Sequence, residues 1–140
     1  MKVKELMIKN VLTCAKDDSI INVAKKMVDH NVGMLVVIED NLSKKPIGVL
    51  SDRDIISKIV VNKKDPSKIT ADQISTKKII SVTPELFLDK AVETMNKNKI
   101  KRLIVIDDLG NLVGIISKAD IIKQFLEIRK QLVDLATFEI

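Results

Sequence analysis

Cysteine and histidine each occur once in 140 residues, as Cys14 and His30. One cysteine cannot close an internal disulfide, and one of each cannot build the usual Cys/His metal cage. The same shortage argues against Cys/His nucleophilic catalysis, so Cys14 reads as a small core residue. Aromatic side chains are scarce as well: there is no Trp or Tyr, and only Phe87, Phe125 and Phe138 remain. Stacking platforms of the kind used on single-stranded nucleic acid are therefore poorly supplied. No apolar run approaches the ~18 residues that suggest a membrane span. The N-terminus, Met1-Lys2-Val3-Lys4-Glu5, lacks the apolar centre of a signal peptide. A cytoplasmic protein without a membrane partner is expected.

What the chain does have is a hydrophobic share of 46% beside 31% charged residues, an ordinary balance for a soluble domain with a real core. Its formal charge of +5 favours anionic ligands without naming one. Lysines are spread along the sequence apart from a looser cluster at Lys63, Lys64, Lys68, Lys77 and Lys78. That cluster reads either as a solvated face or as a nucleic-acid footprint.

The organising feature is a repeat. Gly48-Val49-Leu50-Ser51-Asp52-Arg53-Asp54 returns 66 residues later as Gly114-Ile115-Ile116-Ser117-Lys118-Ala119-Asp120. Each copy reads as the end of an apolar strand, a hydroxyl, two free positions and an acid that opens a helix. A single such string is an ordinary capped helix start. Matching outside the string makes it an internal duplication, and self-similarity dictates architecture.

In the first copy, Val11-Leu12-Thr13-Cys14 leads into an edge strand. Cap-type Asp17, Asp18 and Ser19 precede Ile20, Val23, Ala24, Met27 and Val28, spaced along one helical face. His30-Asn31 closes that helix. Met34 to Ile38 is a continuous apolar strand, paired through a polar turn with Ile47 to Leu50. A helix from about Asp54 to Asn62 follows. The polar stretch Asn62 to Lys77 connects the copies, and Ile69, Ala71 and Ile74 within it predict a short tethered turn. The second copy repeats the order with Ile79 to Val82, a helix started by Thr83-Pro84-Glu85, the strands Arg102 to Ile106 and Leu112 to Ile116, and a longer helix from Asp120. Along that last helix Ile121, Phe125, Ile128, Leu132 and Leu135 form a short heptad-like seam, which suits packing on its own half or a dimer contact equally.

An enzyme has little to rest on here, because Asp54 and Asp120 stand in separate copies with no base or nucleophile in matching register. A binder fits better. A carboxylate at a strand-to-helix junction can accept two hydrogen bonds from a vicinal diol, as an acid grips ribose in dinucleotide folds. Ser51 and Ser117 can reach sugar or phosphate, and Arg102 offers a planar fork for phosphate.

These residues resemble a tandem pair of cystathionine β-synthase (CBS) domains, the Bateman module, over about residues 5 to 130. Gly48 to Asp54 and Gly114 to Asp120 are similar to the family's strand-hydroxyl-acid signature, and Lys101 to Asp107 resembles its second-strand pattern. The resemblance implies an α/β (α+β) fold of two β-α-β-β-α repeats packed about a pseudo-two-fold axis, with domains at 1–68 and 69–140. It implies two clefts for adenosine compounds such as AMP, ADP, ATP or S-adenosylmethionine, with no cofactor or metal required. One cleft would join Asp120, Ser117, Ile115 and Arg102 to Asn10, Val11, Leu12, Val32 and Gly33. The other would join Asp54, Ser51 and Val49 to Lys78, Ile79, Ile80, Ile100 and Lys101; lacking the Arg102 fork, it would need Arg53, Lys77, Lys78 or Lys101 for phosphate.

Because the first copy has Met34 where the second has Arg102, the Asp120 cleft is expected to be the better phosphate site. The function implied is a non-enzymatic sensor, commonly a homodimer, read by an effector protein in trans. Alternatives are a nucleic-acid-binding protein using the basic connector, or a dimerisation scaffold with empty clefts.

Overall fold

The computed structural model of the protein describes residues 1–138. The final two positions of the second expected domain, 139 and 140, lie outside the described residues. Two three-stranded sheets carry the chain. In the first, β1 (Thr13–Ala15) pairs in parallel with β2 (Met34–Ile38), which pairs antiparallel with β3 (Pro46–Ser51). The helix α1 (Ile20–His30) makes the crossover, and α2 (Asp52–Ile55) leaves β3 and widens into a π-helical turn over Ile56–Val60.

The connector holds a 3₁₀ turn at Pro66–Lys68 and the short helix α3 (Ala71–Ile74). The second sheet repeats the plan with β4 (Ser81–Val82), α4 (Leu88–Asn98), β5 (Arg102–Ile106), β6 (Leu112–Ser117) and α5 (Lys118–Ala136). Even the register irregularity recurs, after Val37 in β2 and after Val105 in β5. The turn between the antiparallel strands is two residues shorter in the second copy (107–111 against 39–45), so elements before it repeat at an offset of 68 and those after it at 66.

Strand alternation divides each sheet between two environments. Leu35, Val37 and Leu50 face the helices and build the first core with Cys14, Ile20, Val23, Met27 and Ile59. Leu103, Val105 and Ile116 build the second with Leu88, Ala91, Met95 and Ile121. The cores also exchange segments. Ala71 and Ile74 of the connector are buried in the first core, while Val3, near the start of the chain, is buried in the second. Two backbone bridges fasten these segments: Val49 exchanges hydrogen bonds with Thr76 (2.9 and 2.8 Å), and Ile115 with Ile8 (3.0 and 2.8 Å). The repeated glycines make room for them. A Cβ on Gly48 would stand 3.1 Å from the Thr76 carbonyl oxygen, and one on Gly114 3.1 Å from that of Ile8. Equivalent segments thus cross to the opposite half, as a pseudo-two-fold arrangement requires.

Several element expectations need correction. Thr83-Pro84-Glu85 does not start the helix of the second copy: α4 begins at Leu88 with Phe87 as its cap, and the strand before it is Ser81–Val82 and does not include Ile79 and Ile80. Val28 is 79% exposed, because the buried stripe of α1 ends with Met27 and Val28 is turned about 100° further toward solvent. The helix after β3 starts at Asp52, with Ser51 as its cap and Asp54 in the third position of its first turn. In α5 only Ile121 of the heptad-like seam is buried. Phe125, Leu132 and Leu135 are 55%, 60% and 65% exposed, so most of the seam does not pack on its own half.

Candidate functional site

The face of each sheet turned away from its helices carries the residues of interest. Register places Met34 opposite Ser51 and Val36 opposite Val49 in the first sheet, and Arg102 opposite Ser117 and Ile104 opposite Ile115 in the second. Apolar Val36 and Ile104, buried at the strand centres, close this face in the middle. The polar strand ends, Ser51 and Ser117, stand where each chain turns into a helix.

Both turns are reciprocal capping boxes. Ser51 Oγ accepts from the Asp54 N–H (3.2 Å) and donates to Asp54 Oδ2 (3.1 Å), which also accepts the Ser51 N–H (2.9 Å). In the second copy, Ser117 Oγ accepts from the Asp120 N–H (3.1 Å) and donates to Asp120 Oδ2 (2.6 Å), with the Ser117 N–H at 3.3 Å. The ordinary capping role therefore accounts for one oxygen of each carboxylate. In Asp54 the other, Oδ1, lies 3.4 Å from Lys58 Nζ, and Lys58 also donates to the Ile74 carbonyl of the connector (2.8 Å).

Beside Asp54 opens a cavity of about 670 Å³, within the range of pockets for small molecules. Nine residues expected for that cleft line it together: Val49, Ser51, Arg53 and Asp54 from the first half, and Lys78, Ile79, Ile80, Ile100 and Lys101 from the second. Apolar Ile79, Ile80, Ile100, Val49, Met34 and Ile104 suit a flat heterocycle. The half-buried Asp54 lines it together with the cations Arg53, Lys78, Lys99, Lys101 and Arg102. The segment 77–80, outside regular structure, supplies part of the second half's wall.

The expected division of labour between the clefts is altered by Arg102. It lines the Asp54 cavity alongside Met34, its counterpart from the other copy, and also lines a smaller hollow of about 280 Å³ with Lys101, Ser117, Lys118, Ala119 and Ile122. The inference that the Asp54 cleft lacks this fork is therefore corrected: β2 and β5 bring both residues to one wall. The other residues assigned beside Asp120 are not gathered in that hollow. Ile115 is held by the bridge to Ile8, Leu12 packs against the first core and accepts the Val36 N–H (3.1 Å), and Asn10 and Val32 are exposed while Val11 is half-buried. Gly33 accepts the Asp52 N–H (3.0 Å), and a Cβ there would lie 3.2 Å from Asp52 Oδ2 and 3.8 Å from an Arg102 terminal nitrogen.

Sequence reasoning missed Met34, Asp52, Thr76, Lys99 and Ile104 as lining residues. A signal existed for two of them: Met34 and Ile104 share strand parity with Val49 and Arg102 across the ladders. Lys99 ends α4 in a left-handed conformation (φ 54°), and nothing in its immediate sequence foretold its position at the cavity.

With this geometry in view, comparison with known proteins is informative. The sequence matches the CBS domain family over residues 3–61 and 71–127. It is 35% identical over 133 residues to Uncharacterized protein MJ0450 of Methanocaldococcus jannaschii, covering 95% of this chain and 71% of that one. It is 33% identical to the CBS domain-containing protein CBSX3, mitochondrial, of Arabidopsis thaliana, covering 80% of this chain but 55% of that protein, so the chain spans little more than half of that relative. Among solved structures, the CBS domain pair of protein MJ0100 in complex with 5-methylthioadenosine and S-adenosyl-L-methionine superposes with a TM-score of 0.78 at 29% identity, covering 89% of this chain and 99% of that one.

Proposed function

This chain belongs to the CBS domain family, and from that premise we propose that it is a regulatory module, not a catalyst, that binds an adenosyl ligand in the cavity beside Asp54. The observation that carries the reading is the composition of that cavity: an acid and a strand edge from one half, a backbone segment and cations from the other. Asp54 would accept the ribose hydroxyls, the isoleucines would sandwich the base, and Lys78, Lys101 and Arg102 would meet phosphate. The MJ0100 pair, bound to two adenosyl compounds, supports this ligand class.

A ligand spanning the halves favours whichever packing of them it fits, and a ligand changes a state only through differential affinity for it. The capping acid couples the site to the fold, because Lys58 ties Asp54 to the connector at Ile74. A homodimer is part of the same proposal: Phe125, Leu132 and Leu135 of α5 are exposed, and Phe125 also lines a hollow of about 300 Å³ with Met1, Phe87, Leu88, Asp89, Gln124 and Ile128. A second copy would cover that surface, which light scattering on an eluting peak tests directly.

Calorimetric titration with AMP, ATP, S-adenosylmethionine and a short DNA duplex tests the ligand reading. Saturable binding of an adenosyl compound that Asp54→Ala abolishes is the expected result. Binding of the duplex alone, falling steeply with salt, would transfer the function to the basic connector.

A further inference from the structure

The two oxygens of Asp54 are used differently. Oδ2 accepts both the N–H and the hydroxyl of Ser51 (2.9 and 3.1 Å), which engages its two lone pairs. Oδ1 meets Lys58 Nζ at 3.4 Å, longer than a charge-assisted hydrogen bond, while the same nitrogen donates to the Ile74 carbonyl at 2.8 Å. Lys58 is thus suspended between the acid of the cavity and the buried end of α3. The Asp54 side chain is 18% exposed and that of Lys58 43%, so the acid is largely enclosed while the ammonium has a route to water.

The backbone at Lys58 is irregular as well. It stands in the π turn Ile56–Val60, closed by the bond from the Val61 N–H to the Ile56 carbonyl (2.9 Å), and π turns are rare and recur at functional sites. The same stretch of the second copy lies inside the regular helix α5, with Gln124 in place of Lys58 and Phe125 in place of Ile59. Ile59 is 2% exposed in the core, whereas Phe125 is 55% exposed. Among the described residues Asp120 has no cation within 4.0 Å. The tie through a lysine therefore accompanies the acid that lines the cavity of about 670 Å³ and is missing from its repeat, which does not line it.

We propose that Lys58 is a displaceable tie: a sugar diol bound at Asp54 takes Oδ1, expels the ammonium and so releases α3 of the connector and the π turn. The proposal rests on the adenosyl reading of the cavity and adds how its occupancy is passed on. A vicinal diol brings two hydroxyl donors, and with Oδ2 engaged by Ser51 the two acceptor positions of Oδ1 are what remain for them. Lys58 then gives up its anion and turns to water, and the Ile74 carbonyl loses its side-chain donor. Ligand and Lys58 compete for one oxygen. Removing Lys58 should therefore tighten sugar binding, whereas removing a residue that only supports the site would weaken it.

Calorimetry and amide hydrogen exchange on the full chain, with adenosine and 2′,3′-dideoxyadenosine, are the test. The amides to follow are those of Val61, after the π turn, and of Gln73 and Ser75 in the connector, none of which lines the cavity. Saturating adenosine should speed their exchange about two- to fivefold, the scale of one partly exposed ion pair, and the dideoxy compound, having no diol, should leave it unchanged. Lys58→Met should bind adenosine about two- to fivefold more tightly, and exchange at these amides should no longer answer to adenosine. Lys58→Gln, which installs the residue that the second copy carries at Gln124, provides the same comparison should the first variant fold poorly. Weaker adenosine binding in these variants, or exchange unmoved by adenosine in the unaltered chain, would overturn the tie while leaving the adenosyl reading standing. No binding of adenosine, or dideoxyadenosine binding as tightly as adenosine, would overturn the placing of the sugar on Asp54 and the tie with it.

Discussion

The two capping boxes separate structural support from recognition in a way that can be measured. Ser51→Ala removes a hydroxyl that accepts the Asp54 N–H at 3.2 Å, and Ser117→Ala removes its counterpart at 3.1 Å from the Asp120 N–H. Loss of a capping hydroxyl costs about 0.5–2 kcal/mol. Each variant should therefore lose a similar ~1 kcal/mol, read as a fall in Tm of about 3–5 °C for a chain of this size. Ligand binding should then part the two copies. Asp54 lines the cavity, so Asp54→Asn removes a charged acceptor from the sugar and should weaken ATP by about 10- to 100-fold, the equivalent of ~1.5–3 kcal/mol. Asp120 lines neither that cavity nor the smaller hollow, so Asp120→Asn should change stability without a comparable effect on affinity. Thermal melts give the first quantity and calorimetry the second. Equal losses of ATP affinity in Asp54→Asn and Asp120→Asn, or none in Asp54→Asn, would refute this assignment of roles.

The glycines predict a second split between the copies. Gly48→Ala and Gly114→Ala should each destabilise by ~1–3 kcal/mol through overpacking, but only Gly48→Ala presses on Thr76, a lining residue, and should also weaken ligand. Leu103→Ala, at a fully buried site of the second core, should cost ~2–5 kcal/mol in urea denaturation. Burial pushes the Cys14 thiol up to about 11, so it should resist a thiol reagent at pH 8 in the native protein and react promptly once unfolded. Glu85, hydrogen-bonded by Lys2 and Lys4, is held down at about 2 from an ordinary 4.5. Its contribution is present above about pH 4.5 and is lost as pH falls through about 2; acid titration of Glu85→Gln should show a flatter stability profile across that window, and added salt should reduce the difference.

Much of this molecule can be read locally. The duplicated glycine-to-acid string, the apolar runs Met34 to Ile38 and Leu103 to Ile106, and the spaced Ile20, Val23 and Met27 each carry their own signal, because strand parity and helical spacing act over a few residues. Buried Ala71 and Ile74 agree with the expected tethered turn. The failures come where a neighbour distant in sequence decides. Val28 obeys the helical spacing of its face yet finds no partner in the last turn. Leu132 and Leu135 obey the heptad spacing but stay 60% and 65% exposed, while Phe125 lines a hollow with Phe87 and Leu88 of its own half.

The candidate site divides along the same line. Ser51, Asp54 and their repeats determine by themselves a capped strand-to-helix turn, since every group in a capping box lies within three residues of its partner. Which turn borders the cavity of about 670 Å³ is decided by the meeting of two halves. Arg102 reaches the Asp54 side because the central strands β2 and β5 share its wall, and Lys99 arrives there at the end of a helix from the second half. Sequence alone determined the repeated unit and its local chemistry. The tertiary packing decided which cations stand around one void, because that depends on distances between segments with no direct chain connection to hold them together.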